Sequence, residues 1–173
     1  MTSIKGRYLL QQAEPVANDL VNELKPFCGN ITICGSIRRK RPYVGDIDLI
    51  IADPKPGFAV VVLSHGAVTY DSCTLKFAFF YKGIPVDVLI VDQAAWGAAM
   101  MHSTGPVKEN IRLRAIAKRH GLSLSQYGLF DGKGQRLAGK TEQEVYHALG
   151  VPFVDPESRD FDNEKWHYEG RAK

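Results

Sequence analysis

Two apolar runs that each carry aspartate narrow the folds open to this chain: DIDLIIA at 46–52 and IPVDVLIV at 84–91. Both are rich in β-branched residues and bounded by turn formers, so both are predicted strands. Side chains alternate across a strand. Ile47, Leu49 and Ile51 therefore share a face that needs burial, while Asp46 and Asp48 share the other with Ile50 and Ala52. Only the first part of that second face is acidic, which is unlike the solvated face of an edge strand. Its two aspartates lie roughly 6–7 Å apart at Cα and repel each other unless something positive sits between them. Asp87 is isolated inside the second run, where an uncompensated charge is costly to bury. If the two strands pair, three carboxylates converge, an oxygen-only donor set suited to hard cations such as Mg2+. Two such ions about 4 Å apart clamp the attacking and leaving oxygens of a phosphoryl transfer.

The residues just before the first run point the same way. GSIRRKRPYVG, 35–45, places a Gly-Ser turn after a short β-rich run (ITIC, 31–34), then four consecutive cations. The turn can offer backbone N–H groups and a hydroxyl to a phosphate, and an arginine fork can grip its oxygens. Taken alone, Arg38-Arg39-Lys40-Arg41 is a solvated patch and Asp-x-Asp an ion-paired strand entry. Their spacing puts cations and candidate metal ligands on one loop.

Elsewhere, Ala17, Leu20, Val21 and Leu24 recur at helical spacing after Pro15, and the sequence leaves open whether that helix extends back through Leu9 and Leu10. LKFAFFY (75–81), Lys82-Gly83 and IPVDVLIV read as a hairpin. Helices are predicted over 93–101 and 106–120, a small hairpin over 126–138, and a capped helix from Thr141, with Glu144 three residues on. The alternation of helix and sheet, followed by helices plus a hairpin, predicts an α+β architecture with two lobes.

The 173 residues suffice for one domain or two small lobes. The longest apolar stretches fall short of a membrane span and the N-terminus lacks a secretory pattern, so the expectation is a cytoplasmic protein of bacterial or viral origin, not secreted and without a membrane partner. Three cysteines without CxxC spacing read as free thiols in a reducing compartment. A net charge of +3 and a pI near 8.7 tilt towards anionic partners.

GSIRR…VGDID, 35–48, resembles the signature of the family X DNA polymerases, the polymerase beta-like branch of the nucleotidyltransferase superfamily. STGPVKENIRLRAIAKRHG, 103–121, resembles their nucleotide-selecting segment, and LSQYGLFDGKGQRLAGKTEQEVYHALGVPFVDPESRD, 124–160, their C-terminal lobe. The resemblance implies a nucleotidyltransferase palm over residues 1–93, a mixed or antiparallel sheet with helices on one face. A small C-terminal α/β lobe, 94–173, would select the nucleotide and bind DNA. It implies that Asp46, Asp48 and Asp87 are catalytic and hold two Mg2+ ions, for which Mn2+ can substitute. Gly35, Ser36, Arg39 and Gly45 would bind the triphosphate, and His102, Ser103, Thr104, Gly105 and Asn110 the sugar and base. Arg112, Arg114, Lys118 and Arg119 would meet DNA. The implied reaction is template-directed addition of deoxynucleoside triphosphates to a primer 3′-hydroxyl on gapped or primer-template DNA, by a monomer, in short-gap repair, with a DNA ligase as a candidate partner.

The chain departs from the family pattern in three ways. About 34 residues precede Gly35, too few for the N-terminal lyase domain, so no lyase activity is expected and the grip on DNA should be weaker, as in the small viral members. No phosphoesterase domain follows, so proofreading is not expected. His102 and Ser103 stand where the family carries bulky aromatics, which predicts weak selection against ribonucleotides. The rival readings are a minimal nucleotidyltransferase modifying a protein, an RNA end or a small molecule, and a catalytically silent DNA-end-binding module. The first should lack the Thr-Gly turn and its Asn/Arg helix. In the second, unpaired acids would only repel DNA.

Overall fold

The computed structural model describes residues 7–69 and 76–159. A short strand, β1 (Tyr8–Leu9), leads into α1 (Leu10–Leu24), which buries Ala13, Ala17, Leu20 and Leu24 in one stripe. This settles the open start of the first helix: it begins at Leu10 and carries Pro15 inside it. Next come β2 (Cys28–Ile33), the single turn α2 (Gly35–Arg38), β3 (Tyr43–Val44), which pairs with β1, and β4 (Ile47–Pro54). Asp46 therefore sits in the loop before the strand instead of beginning it. The helix α3 (Phe58–Ser64) then precedes β5 (Val68–Thr69), β6 (Lys76–Tyr81) and β7 (Ile84–Val91). The FAVVVLS stretch of α3 gives no helical signal because its β-branched run favours strand. Burial of Phe58 and Val62, one turn apart, decides for helix.

The five strands of the main sheet run β2-β4-β7-β6-β5, with β4 and β7 parallel and the other pairs antiparallel. Between β6 and β7, Lys82 and Gly83 both take positive φ (49° and 82°), the turn whose twist matches the strands. Ile47, Leu49, Ile51, Val86, Val88 and Ile90 pack with α1 and α3 on one face. On the other, Ile50, Leu89 and Val91 pack against Ala95 and Ala99.

Those two alanines belong to the second half. It comprises α4 (Trp96–Thr104), α5 (Val107–Arg119), the three-stranded sheet β8 (Ser123–Ser125), β9 (Gly128–Phe130) and β10 (Arg136–Ala138), and α6 (Glu142–Ala148). The expected hairpin thus gains β8 as a third strand. Around α4 and α5 a separate core gathers Met101, Leu113, Leu129, Val145 and Tyr146. Thr141 caps α6 as its sequence suggests, accepting the Glu144 N–H at 3.1 Å. The Glu144 carboxylate returns to the Gly139 and Lys140 amides. Gly97 lets that loop lie directly on α4: a Cβ there would sit 2.1 Å from the Thr141 backbone. The architecture is α+β, with helices on one face of a mixed sheet and a helical lobe across the far end of the other. Among the described residues no helix is long and apolar enough to cross a membrane. Trp166 and Cys73 lie outside the described residues.

Candidate active site

The parallel register of β4 and β7 pairs Asp48 with Asp87. Asp46 reaches in from the preceding loop, and the three residues each offer a carboxylate oxygen within 4.8 Å of the others. Burial comes first among the causes that push Asp48 up to about 7, followed by repulsion from Asp46 and Asp87, with Arg39 opposing. Burial and Asp46 likewise raise Asp87, while Lys76 opposes. Three carboxylates this close, with oxygen donors only, fit a divalent cation that would neutralise them.

The backbone around α2 is shaped to this cluster. The Cys34 N–H donates to the Asp48 carbonyl at 2.8 Å. Gly35 takes φ +59°, and a Cβ on it would lie 1.8 Å from Asp48 Oδ2. Only glycine allows α2 to start against the carboxylate. Beside the aspartates opens a cleft of about 690 Å³. Its walls include Asp46, Asp48 and all nine residues expected to hold nucleotide: Gly35, Ser36, Arg39, Gly45, His102, Ser103, Thr104, Gly105 and Asn110. Sequence reasoning missed three further cations there, Arg7, Arg41 and Lys108. Arg41 belongs to the basic run; Arg7 and Lys108 carry no motif that would reveal them.

The four consecutive cations are held in four different ways. Arg38 donates to Thr104 Oγ1 at 2.6 Å and forks onto the Glu142 carboxylate, so it is a link between lobes and not a spare phosphate ligand. Arg39 donates to the Thr104 carbonyl and keeps a buried Nε without a partner among the described residues. Burial, then Arg41, hold its guanidinium below the usual arginine range. Lys40 pairs with Glu14 on α1. Arg41 donates to the Arg159 carbonyl at 3.4 Å.

On the opposite wall, α4 ends at Thr104 and the cis Gly105–Pro106 peptide leads into α5. The Asn110 amide donates to the His102 carbonyl at 2.7 Å, and its Oδ1 is buried without a partner among the described residues. Arg114 is exposed and donates through Nε to the Asn110 carbonyl, while Lys118 and Arg119 are exposed on the last turn of α5. Arg112 is placed differently from the expected DNA-facing row. It forks onto Glu109 at 2.7 and 2.6 Å, and Glu109 is 1% exposed and also accepts the Tyr146 hydroxyl. Its first task is to neutralise that buried acid. Tyr127 packs at the junction of the halves. His65 is partly buried, stacked on Phe79 and 2.7 Å from Glu23.

A mixed sheet presenting three aspartates beside a basic cleft, closed by a small helical lobe, is the layout of a nucleotidyltransferase. Comparison with known proteins narrows the class. The DNA polymerase beta thumb family matches residues 99–160. The chain is 30% identical over 172 residues to the repair DNA polymerase X of African swine fever virus, covering 87% of this chain and 98% of the viral protein. It is 28% identical to the DNA polymerase/3′-5′ exonuclease PolX of Bacillus subtilis and 27% identical to rat DNA polymerase lambda, spanning 29% and 28% of their lengths. A ternary complex of Leishmania infantum polymerase beta superposes with a TM-score of 0.73 at 24% identity, over 89% of this chain and 77% of that one, which establishes the fold. The chain belongs to the family X DNA polymerases and is a DNA-directed nucleotidyltransferase.

Proposed function

We propose that this polymerase extends a primer 3′-hydroxyl by one deoxynucleotide at a time across short gaps, with residues 1–93 as palm and 94–173 as the lobe that selects nucleotide and meets DNA. One observation supports the reading: Asp46 and Asp48, which cluster with Asp87, line the same cleft as all nine residues expected to hold nucleotide. The aspartates would hold two Mg2+ ions. Bound there, they would supply Lewis-acid activation of the 3′-hydroxyl and charge neutralisation of the triphosphate.

Each side chain then has a task. Asp87, the most exposed of the three carboxylates, faces the primer side and accepts the hydroxyl proton. Ser36 and Arg39, with the Gly45 amide, orient the triphosphate so that the α-phosphorus lies in line with the attacking oxygen and pyrophosphate departs. Thr104-Gly105 backs the sugar. Asn110, with an unpaired oxygen at the cleft wall, faces the base. Arg114, Lys118 and Arg119 attract template phosphates.

Primer extension decides the reading. One-nucleotide-gapped DNA, Mg2+ and single deoxynucleotides should give template-matched addition, faster on the gap than on an open primer-template. Addition independent of template, or transfer of nucleotide to protein or RNA, would overturn it.

A further inference from the structure

The sheet face that carries Asp48 and Asp87 is covered only in part. Ile50, Leu89 and Val91 on it lie under Ala95 and Ala99 of the second half. Across β7 the same face continues to β6 and β5, and there it is open: Phe80 is 68% exposed and Val68 57%. Among the described residues Phe80 is more exposed than the other surface aromatics, Tyr43 and Phe153. Large apolar side chains gathered on an open face mark a contact surface more often than chance exposure.

Register decides which residues share that face. Ala78 stands opposite Asp87, Phe80 opposite Pro85 and Val68 opposite Ala78. Opposed residues of neighbouring strands point the same way, so Val68, Ala78, Phe80 and Pro85 form one apolar strip beside Asp87. The alternate residues Phe77, Phe79 and Tyr81 are buried in the core on the opposite face. Phe80 lies on the diagonal from Asp87, about 7–8 Å between Cα atoms, a separation that an aromatic side chain bridges. The small Ala78 leaves the space directly opposite the carboxylate clear, and Lys76 ends the row beyond it.

We propose that Phe80 is a primer-positioning residue: with Pro85 and Ala78 it forms an apolar seat for the last sugars of the primer strand, next to the carboxylate that meets the 3′-hydroxyl. This deepens the polymerase reading and rests on it in taking a primer as the occupant. Two observations choose that occupant. The cleft that would hold nucleotide is lined by Asp46 and Asp48 and not by Asp87, so the triphosphate lies towards β4 and α2. In-line displacement needs the attacking oxygen opposite the leaving group. The order β4-β7-β6 therefore brings the primer in from the β6 side, over Phe80. Charge agrees with this. The strip adds no acid to the three aspartates, and it offers C–H surface where the uncharged sugar faces of a strand, rather than its phosphates, can rest.

The test compares the full chain with Phe80→Ala and Phe80→Tyr. Gapped-DNA affinity at low and high salt, extension kinetics, Mg-dATP affinity and melting temperature are measured for each. Phe80→Ala should bind gapped DNA about fivefold more weakly, with the KM for DNA rising by a similar factor. Mg-dATP affinity, the KM for nucleotide and the melting temperature should stay at parent values, because the side chain is exposed and outside the nucleotide cleft. Phe80→Tyr keeps the ring and should behave as the parent. The slope of log affinity against log salt should not change, since no phosphate contact is removed. Parent-like DNA affinity in Phe80→Ala, or an altered salt slope, would overturn the proposal. So would self-association of the parent that Phe80→Ala abolishes without weakening DNA binding, which would make the strip a contact between copies of the chain. If the parent binds gapped DNA through Phe80 but extends no primer, the polymerase reading fails while the seat stands. If the parent extends primers and Phe80→Ala does so with the same KM, the seat fails alone. If the parent binds no DNA, both fall.

Discussion

Asp48 and Asp87 stand opposite each other as register partners on the parallel strands β4 and β7. Parallel pairing brings the N-terminal ends of both strands to one edge of the sheet, where Asp46 joins them. A slip of one residue would turn Asp87 into the core under α1. The consequence is an all-or-none site. Asp87→Asn preserves shape and should lower single-nucleotide extension at least about a hundredfold while gapped-DNA affinity stays within about twofold of the parent. Extension near the parent rate would remove Asp87 from the reaction.

The raised pKa of Asp48 gives the metal-free protein a distinct pH dependence. Its folded value of about 7 lies above the ordinary 3.8. The folded state therefore holds a proton that the unfolded state releases, and stability falls as pH rises between these two values. Asp48→Asn removes the penalty. In chelator its melting temperature should exceed the parent's at pH 8, with the gap closing towards pH 4. Mg2+ should raise the melting point of the parent at pH 8 and do so far less for the variant. Parallel melting curves for the two proteins across that range would refute the account.

Gly35 is the steric hinge of the cluster. Gly35→Ala places a methyl where Asp48 Oδ2 now sits and forces alanine into φ +59°. The left-handed conformation alone costs about 1–2 kcal/mol, and the carboxylate must swing away from its partners. Metal affinity should fall at least about tenfold by isothermal titration, with primer extension falling in parallel.

The basic face of α5 should divide in two. Arg112→Ala strands Glu109, which is 1% exposed, and should destabilise the fold by about 2–4 kcal/mol in denaturant melts. Arg114→Ala touches no buried acid. It should leave the melting curve nearly unchanged, weaken DNA binding and reduce the slope of log affinity against log salt by about one. Equal behaviour of the two variants would contradict this division.

Ser103 lines the cleft beside His102 and Thr104 and offers no bulk against a 2′-hydroxyl. The parent should therefore discriminate weakly between ribo- and deoxynucleotides. Ser103→Tyr should raise the ratio of kcat/KM values roughly tenfold or more. A parent that already rejects ribonucleotides strongly would show that His102 or the backbone does the excluding.

Much of this was legible without coordinates. Alternation in DIDLIIA and IPVDVLIV foretells which face is core and which is acidic, because a period of two admits no other assignment once one face must be buried. Lys82-Gly83 marks the hairpin, and Thr141 with Glu144 marks the start of α6, because turns and caps are decided by a few neighbouring residues. What stays hidden depends on partners distant in sequence. FAVVVLS gives no helical signal until the core claims Phe58 and Val62. The role of Arg38 stays hidden until Glu142 arrives from the other lobe to claim it. Arg112 joins the DNA-facing row until Glu109, buried and bonded to Tyr146, claims it. By itself the sequence determined the two aspartate-bearing strands, the acidic face and the chemistry those carboxylates can support, since local pattern and residue type suffice for these. Only the tertiary structure decided which cations are free for phosphate and which are bound to buried acids, because a charge takes its role from what surrounds it in space.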